Sequence, residues 1–560
     1  MRHNLLFALV LLWVLFPQVV NSAIHGTTGL PLTGTGWTDF ATMVSGGGYN
    51  TARVIFVDSV SGDDGTAQAD TLANVTFDSN GIFQSAGTIH PYQTLATAYA
   101  QMRADEPDIM LLKRGSEWST GLGVTYLKSG DSQTTPHIIA SYGPTGNRPK
   151  LTDILFNTSN ASFVFISGLH FYSANWTTAA RALDIRWLAS YQTFEDLYIE
   201  QKAGDIVAGT VGSSTNIAFR RCIWLHNAAH DGQLFASGTT NLLLEENIFS
   251  TPYDESYTNM SRYGRHLYFY FSADKNLQLR GNIFFASDRE GADLRWGGVA
   301  NNNLFMQSFL RMGDEGTGTR EIASGNIFNN VLLEASPRTG VGTQMTIIAN
   351  DGTNIYNNIK SDNSGGINIM PNLDATPALP LARNIDIYDN IVSGYPAGNG
   401  TGIYFSSLLT DLLNLTITGN DLQLLNGNGA DALIGIQTAH LPYATFANNR
   451  YYSTTADADW FNQGTYAQWI TATGETGSSN AAVTYTDPSR TLRSYNQTLG
   501  GTASTEEFMA EALNQSRQNW RPEYTACAVN NYIREGFDKD AVYCGYENAR
   551  RYAVRAVTNE

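Results

Sequence analysis

The side chains best suited to chemistry lie in two short stretches of this 560-residue chain. Residues 265–271 read Arg-His-Leu-Tyr-Phe-Tyr-Phe, and residues 292–296 read Ala-Asp-Leu-Arg-Trp. Imidazole and phenol groups transfer protons, and a guanidinium group binds a carboxylate through paired hydrogen bonds. Our first hypothesis is therefore a site for acid–base chemistry on an anionic substrate.

Alternation of polar and apolar residues indicates that both stretches are β-strands. Successive side chains of a strand point to opposite faces, so Leu267, Phe269 and Leu294 are expected to point into a core. The polar side chains between them are then predicted to point outward: His266, Tyr268, Tyr270, Asp293 and Arg295.

The two strands belong to a repeat that extends through most of the chain. A short apolar strand preceded by Asn, Gly, Asp or Cys recurs every 21 to 35 residues, which is typical of a parallel β-solenoid with loops at its corners. A β-propeller would need a period of roughly 40–50 residues. The markers of the repeat are Gly168, Asp196, Cys222, Asn247, Asn282, Asn303, Asn326, Asn358, Asn390 and Asn420.

Counting from these markers extends the candidate site to neighbouring coils. Arg311 lies eight residues after Asn303, and Glu334 lies eight residues after Asn326. Stacked coils are about 4.8 Å apart, so both side chains are predicted to continue the outward-facing patch. The residues that we expect to contact a substrate are Gln233, Arg265, Tyr270, Asp293, Arg311 and Glu334.

Eliminative cleavage of a uronate polymer is the first function that fits this patch. Arg295 or Arg311 would neutralise the substrate carboxylate, because a guanidinium matches that group in shape and charge. His266 and Tyr268 would then serve as the base and the acid, in either order.

Hydrolysis and simple binding are the alternatives. A glycoside hydrolase needs two carboxylates across the scissile bond, and Asp293 with Glu334, or Asp288 with Glu290, would supply them. Asp288, Glu290 and Asp293 also define a hypothetical Ca²⁺ site, although their spacing is not that of an EF-hand. A non-catalytic surface protein would use the same aromatic and charged side chains to bind a glycan.

Composition and the N-terminal sequence limit the possible partners. The net charge of −17 argues against general binding to nucleic acid or anionic membranes. Residues 1–22 combine a basic start, an apolar run and a small-residue end, which predicts a signal peptide, a secreted or periplasmic protein and no stable membrane insertion after cleavage. Cys527 and Cys544 are close enough in sequence to pair, and Cys222 is expected to be buried.

Different patterns flank the repeat at both ends. We assign residues 23–149 to an N-terminal arm and cap, with a helix over 91–103 that covers the open end of the solenoid. Residues 150–450 form the coils, and 451–560 form a C-terminal plug and helical tail. Ser504 is the predicted N-cap of a helix in that tail.

The cap and the repeat together resemble the pectate-lyase-like superfamily of right-handed parallel β-helix proteins. The resemblance covers roughly residues 50–450, from the pattern VDSVSGDDG…PYQTLATAYA…DIMLLKRG through the Asn-Ile-Phe triplets. The alginate-lyase and chondroitinase-B-like family is similar more locally, because residues 282–284 (Asn-Ile-Phe) precede residues 294–297 (Leu-Arg-Trp-Gly). That resemblance implies a catalytic role for Arg295. The family's catalytic lysine falls near residues 272–274, where the nearest lysine is Lys275.

The sequence therefore predicts an all-β fold, a single-stranded right-handed parallel β-helix with an N-terminal cap helix and a short helical C-terminal tail. We expect an exported polysaccharide lyase that acts on an acidic, uronate-containing glycan with His266, Tyr268 and Arg295 as catalytic residues. No cofactor is required by this hypothesis, and Ca²⁺ is an optional one.

Overall fold

The structure is a computed structural model, and most of the chain downstream of residue 22 is described by it. Residues 1–22, which include the predicted signal peptide, lie outside the described residues. The described ranges are 23–173, 182–201, 209–226, 233–251, 266–271, 276–287, 290–314, 322–334, 344–362, 365–394, 401–425 and 432–544.

Within these ranges the chain forms a parallel β-helix, as predicted, because successive coils contribute parallel strands to three long sheets. Counted over the described residues, sheet 1 has 16 strands: Val54–Val57, Val75–Phe77, Phe83–Ser85, Ile109–Lys113, His137–Tyr142, Ser162–Ser167, Ser190–Glu195, Thr215–Arg220, Thr240–Glu245, Leu277–Arg280, Gly297–Asn301, Ala323–Phe328, Asn350–Tyr356, Leu381–Tyr388, Asp411–Thr418 and Ala444–Ala447.

The other two sheets have 13 and 11 strands within the described part of the chain. Sheet 2 consists of Glu117–Trp118, Lys150–Thr152, His170–Ser173, Tyr198–Gln201, Ile223–His226, Ile248–Ser250, Ile283–Phe285, Leu304–Met306, Val331–Leu333, Ile359–Lys360, Ile391–Ser393, Asp421–Leu424 and Arg450–Ser453. Sheet 3 consists of Phe156–Asn157, Leu183–Arg186, Gly209–Gly212, Leu234–Ser237, Leu267–Phe271, Glu290–Leu294, Phe309–Met312, Met345–Ile348, Ile367–Met370, Ile403–Phe405 and Ile434–Gly435.

The helices lie in the segments that precede and follow the coils. The α-helices in the described ranges are Phe40–Ser45, Leu95–Ala100, Tyr466–Thr473, Leu492–Thr498, Thr505–Leu513 and Ala526–Gly536, and the 3₁₀ turns are Leu72–Asn74, Thr438–Tyr443, Asp457–Asp459, Arg517–Asn519 and Pro522–Tyr524. A short antiparallel pair, Ala23–Ile24 with Pro31–Leu32, begins the arm. Among the described residues no helix is long and apolar enough to cross a membrane.

The predicted cap helix is present but shorter than residues 91–103. It begins after Thr94, whose hydroxyl accepts a hydrogen bond from the Thr97 backbone N–H, and it ends at Ala100. Its buried face, with Leu95 and Tyr99, packs into the same core as the coils. The helix therefore covers an apolar cross-section that would otherwise meet water.

Aromatic rings stack along the interior from coil to coil. The ring centroids of Trp224, Phe249, Phe284 and Phe305 follow one another at 5.8, 5.1 and 4.8 Å. All four side chains are fully buried. This column fixes the inward phase of sheet 2, since each apolar side chain that joins it forces its neighbours in sequence to the other face.

A ladder of buried asparagines joins sheets 1 and 2 at their shared corner. Asn330 shows the pattern: its backbone N–H and its Nδ2 both donate to Oδ1 of Asn358, at 3.0 Å each, and Nδ2 also donates to the Ala300 carbonyl at 2.8 Å. Its own Oδ1 accepts the matching pair of bonds from Asn303. The members of the ladder are Asn247, Asn282, Asn303, Asn330, Asn358, Asn390, Asn420 and Asn449.

One predicted marker of the repeat is wrong. Asn326 lies inside sheet 1, where its Oδ1 accepts from Asn354, and the ladder position of that coil is Asn330. The residue before each ladder asparagine turns the corner with a positive φ, for example 55° at Asn302 and 58° at Asn329. Both Asn326 and Asn330 follow a residue suited to a turn, so the local sequence did not separate them.

The C-terminal tail packs along the outer face of sheet 2. Its helices bury Phe508, Val529 and Ile533 against the outward isoleucines, leucines and valines of that sheet. Ser504 caps the helix Thr505–Leu513, as predicted, by accepting from the Glu507 backbone N–H. Cys527 and Cys544 form a disulfide, and Cys222 is buried as expected.

The tail reaches both ends of the solenoid. Lys539 donates to the Asp389 carbonyl at 3.1 Å, near the last coils. Arg517 donates through its backbone N–H to Asp196 at 3.0 Å and through its guanidinium to the Thr38 carbonyl at 2.6 Å, beside the N-terminal arm. Trp520 packs edge-on against Trp37 of that arm, with ring centroids 5.3 Å apart.

Loss of one ladder amide should destabilise the protein more than loss of an asparagine outside the ladder. Asn330→Ala leaves the buried amide donors of Asn303 without their acceptor, so we expect the free energy of unfolding to fall by roughly 2–5 kcal/mol. The matched control is Asn326→Ala, which removes a half-buried amide from the same coil. Urea unfolding followed by circular dichroism measures both, and equal losses would contradict a special role for the ladder.

Candidate active site on the third sheet

Three of the predicted site residues lie in register on adjacent strands of sheet 3. Tyr268 pairs with Asp293, and Asp293 pairs with Arg311. Their neighbours Leu267, Phe269, Leu294 and Met312 point into the core. The predicted outward column of Tyr268, Asp293 and Arg311 is therefore present.

Arg311 is the centre of a buried ionic cluster. Its Nε and Nη2 donate to the two oxygens of Asp293 at 3.0 and 2.5 Å, and its Nη1 lies 2.7 Å from Glu290 Oε1. All three side chains are almost completely buried. Charges removed from water in this way need close partners, and one guanidinium here serves two carboxylates.

Arg295 lies nearer the surface, where the strand ends. Its Nη1 is 2.9 Å from Asp314 Oδ1, and its Nε is 3.7 Å from Asp293 Oδ2. Its guanidinium carbon lies over the ring of Tyr268, 4.7 Å from the centroid. Arg295 and Tyr268, 8% and 7% exposed, are the most accessible members of this group.

Asp314 was not predicted from the sequence. Asp314 is three residues after the outward-facing Arg311, so strict alternation would point its side chain into the core. Gly313 instead has a φ of 106° and turns the chain at the end of the strand. A Gly-Asp pair directly after a short strand was the available signal, because glycine is the residue that most readily takes this conformation.

The prediction that His266 points outward is wrong. The residue precedes the strand Leu267–Phe271 at the corner between sheets 2 and 3, and its Nε2 donates to the Phe285 carbonyl at 2.7 Å. Its ring lies 6.5 Å from the core rings of Phe249 and Phe284, and only 1% of the residue is exposed. Alternation holds within a strand and fails at a corner, where the chain changes direction.

Gln233 lies at the same corner on the preceding coil. Its Nε2 donates to the Ser250 carbonyl at 2.8 Å, and its backbone N–H donates to the His266 carbonyl at 2.8 Å. The side chain is 1% exposed. The predicted substrate contact is therefore not available here, and the corner residues tie two sheets together.

Glu334 does not continue the column either. It lies at the end of sheet 2, where Gln307 and Thr505 donate to its carboxylate at 2.9 and 2.8 Å and Arg493 is 3.3 Å away. The C-terminal tail covers it. The count of eight residues started from Asn326 rather than from the ladder residue Asn330, which shifted the expected position by four residues.

Three remaining predictions concern residues outside the described structure. Arg265 and Asp288 lie outside the described residues, and so does the side chain of Tyr270.

The hydrolase pair of Asp293 and Glu334 is separated onto two sheets, since Asp293 is in sheet 3 and Glu334 follows a strand of sheet 2.

An arginine occupies the position where the sequence suggested a Ca²⁺ ion. The Arg311 guanidinium contacts both Glu290 and Asp293, which were the two described members of the hypothetical site. Within the described ranges no group of three or more His, Cys, Asp or Glu side chains is arranged to hold a metal ion. The acidic side chains here are therefore partners of arginine.

The protein is thus a parallel β-helix whose candidate site is the group of charged side chains and Tyr268 on the outer face of sheet 3. No protein-family model matches the sequence, and no curated protein matches it. Solved structures are similar at low identity. A mannuronic acid specific polysaccharide family 6 lyase from human gut microbiota is 14% identical over 81% of this chain and 95% of its own, with a TM-score of 0.49.

Two further structures show the range of these similarities. The PL6 family alginate lyase AlyGC is 15% identical over 65% of this chain and 47% of its own, with a TM-score of 0.36. PfbA, a surface adhesin of Streptococcus pneumoniae, is 10% identical over 61% of this chain and 82% of its own, also with a TM-score of 0.36. Similarity at this level assigns no activity to this chain.

Removal of the Arg311 charge should destabilise the fold. Arg311→Met takes away the cation shared by two buried carboxylates, so we expect the free energy of unfolding to fall by about 3–5 kcal/mol. Arg383→Met is the matched control, because Arg383 pairs with Asp411 on the surface, where both side chains are more than a third exposed. Chemical denaturation distinguishes the two, and a similar loss in both variants would contradict the buried cluster.

His266 should make stability depend on pH. Burial lowers its pKa from 6.5 to about 4, so between these values the unfolded chain binds a proton that the folded chain does not. The stabilising contribution is complete above pH 6.5 and is lost as the pH falls towards 4, by about 1.4 kcal/mol per pH unit.

The variant His266→Gln tests this dependence, because it keeps an N–H donor for the Phe285 carbonyl and removes the titrating ring. Unfolding free energies measured across this pH window should fall less steeply in the variant than in the wild type. Parallel slopes would show that His266 does not titrate in this way.

Proposed function

We propose that this protein is an exported polysaccharide lyase that cleaves a uronate-containing glycan by β-elimination on the outer face of sheet 3. The observation that carries the proposal is the contact between Arg295 and Tyr268, in which a guanidinium lies 4.7 Å over a phenol ring on neighbouring coils. A cation and a proton-transfer group are thus adjacent in the most accessible part of the ionic cluster.

Elimination makes three demands on the site. The uronate carboxylate must be neutralised so that the C5 proton becomes acidic, a base must remove this proton, and an acid must protonate the leaving oxygen. Arg295 fits the first role, because its planar guanidinium can pair with the substrate carboxylate.

Tyr268 fits both proton-transfer roles. In the proposed step the Tyr268 phenolate oxygen takes the C5 proton, the C4–O bond breaks and a C4–C5 double bond forms, and the phenol so formed gives its proton to the leaving oxygen, which restores the phenolate. The positive charge of Arg295 stabilises the negative charge that develops during this transfer. His266 is not part of this mechanism, because its ring is buried behind the sheet.

The surrounding acids and Arg311 act as positioning residues. Asp314 holds the Arg295 guanidinium, and Asp293 lies between the two arginines. Side chains fixed by such pairs lose little freedom when a substrate binds, which favours a preorganised site.

Export is the second part of the proposal. The predicted signal peptide motivates it, and the Cys527–Cys544 disulfide supports it, because structural disulfides persist in oxidising compartments. We propose a secreted or periplasmic location and an acidic polysaccharide as the partner.

Glycan binding without cleavage is the second candidate. This candidate is favoured because Arg295 and Arg311 already pair with carboxylates of the protein, and elimination needs a cation to neutralise the carboxylate of the substrate. A substrate carboxylate would then compete with Asp314 and Asp293 for Arg295.

Incubation with alginate, polygalacturonate and chondroitin tests the lyase. We expect the ultraviolet absorbance of an unsaturated uronate to rise, and Tyr268→Phe to lower kcat about 10²–10⁴-fold through loss of proton transfer. Tyr404→Phe is the matched control, because Tyr404 occupies the same column of sheet 3 roughly 24 Å away.

The other outcomes separate the alternatives. New reducing ends without absorbance would indicate hydrolysis, and binding without either signal would indicate the non-catalytic function. An Arg295→Ala variant that cleaved as fast as the wild type would remove the role assigned to this arginine.

A further inference from the structure

Sheet 3 contains a second copy of the sequence pattern around Arg295. Residues 184–187 read Asp-Ile-Arg-Trp, and residues 293–296 read Asp-Leu-Arg-Trp. Both copies lie at the end of a strand of sheet 3. The strand register connects the two aspartates through one outward column: Asp184, Thr210, Phe235, Tyr268 and Asp293. At about 4.8 Å per coil, the copies are roughly 19 Å apart on one face.

The first copy has the same kinds of group as the second but pairs them differently, because Arg295 pairs with Asp314 rather than closely with Asp293. Arg186 donates through Nε and Nη2 to the two oxygens of Asp184, at 2.5 Å each. Its guanidinium carbon lies 4.6 Å from the ring centroid of Trp187, as Arg295 lies over Tyr268. Each copy therefore combines a carboxylate, a guanidinium and an aromatic ring.

The two copies differ in exposure. Trp187 is 49% exposed, whereas Trp296 is 7% exposed. The next residue, Leu188, is 83% exposed, and Tyr191, at the start of the following strand of sheet 1, is 37% exposed. Large apolar side chains grouped on the surface of a protein mark an interaction site more often than a packing need.

The chemistry of the first copy suits a sugar. An exposed indole offers a flat apolar surface for the C–H face of a pyranose ring, and its N–H is a hydrogen-bond donor. The Asp184–Arg186 pair presents fixed acceptors and donors for ring hydroxyls. Its charges compensate each other, so the pair recognises a saccharide without needing to neutralise a carboxylate.

We propose that Asp184, Arg186 and Trp187 form a second saccharide-binding subsite on the outer face of sheet 3. The proposal rests on the proposed function, because the occupant is a remote segment of the polysaccharide that reacts at Arg295. Gly212 and Ser237 follow Arg186 in the second outward column, and neither has a large side chain.

The subsite should matter only for long substrates. A polymer that spans roughly 19 Å contacts both copies, whereas a short oligosaccharide at Arg295 does not reach Trp187. Binding energy from a remote subsite that is equal in ground and transition states lowers KM and leaves kcat unchanged.

Comparison of a polymer with a short oligosaccharide tests the proposal. For Trp187→Ala we expect KM for the polymer to rise about tenfold, with kcat unchanged and with no change for the oligosaccharide. Trp187→Phe should restore most of the affinity. Tyr443→Ala, which removes an aromatic ring that is 48% exposed, is the control and should change neither constant. An unchanged KM for the polymer, or an equal change for both substrates, would overturn the subsite.

A binding experiment separates this proposal from the lyase proposal. Affinity electrophoresis in gels containing alginate, polygalacturonate or chondroitin should show retardation of the wild type and of Tyr268→Phe, and loss of retardation in Trp187→Ala. This result supports the subsite even if no polymer is cleaved. Equal retardation of Trp187→Ala and wild type, or no retardation of the wild type by any polymer, would overturn it.

Discussion

Hydrogen bonding between stacked asparagine side chains is the constraint on which the remaining structure depends. Each buried amide donates to the next coil and accepts from the previous one, as Asn330 does between Asn303 and Asn358. A slip of one residue would leave these groups unpaired in an apolar interior, which is costly. The ladder therefore sets the register of the coils that it joins, from Asn247 to Asn449, and outward side chains from these coils fall into straight columns.

The candidate site is a product of this register. Tyr268, Asp293 and Arg311 are far apart in sequence, yet the three residues lie on adjacent strands because each coil restarts from the same corner. The column also explains why the charges can be buried. Arg311 reaches two carboxylates of the preceding coil, Glu290 and Asp293, so the cost of desolvation is offset by close pairing.

Periodicity was sufficient to predict the architecture, the cap helix and the capped helix of the tail, because each depends on local spacing and local propensity. It also predicted the column of Tyr268, Asp293 and Arg311. It failed where the chain leaves a strand: His266 sits at a corner and Asp314 follows the turn at Gly313. Glu334 was misplaced because Asn326 and Asn330 are equivalent in local sequence, and only the neighbouring coils decide which amide joins the ladder.

The C-terminal tail changes the mechanics of the solenoid. In a simple stack each coil contacts only its two neighbours, so small rotations between coils add up along the axis. Here the C-terminal tail packs alongside the stack and is attached to it at Asp389 and again beside Trp37, so it restrains the coils between these points. Bending or unwinding must then disturb contacts many coils away. The outer face of sheet 3 is then stiff. The distance between Arg186 and Arg295 stays constant, and a flexible polymer adjusts its conformation to that distance.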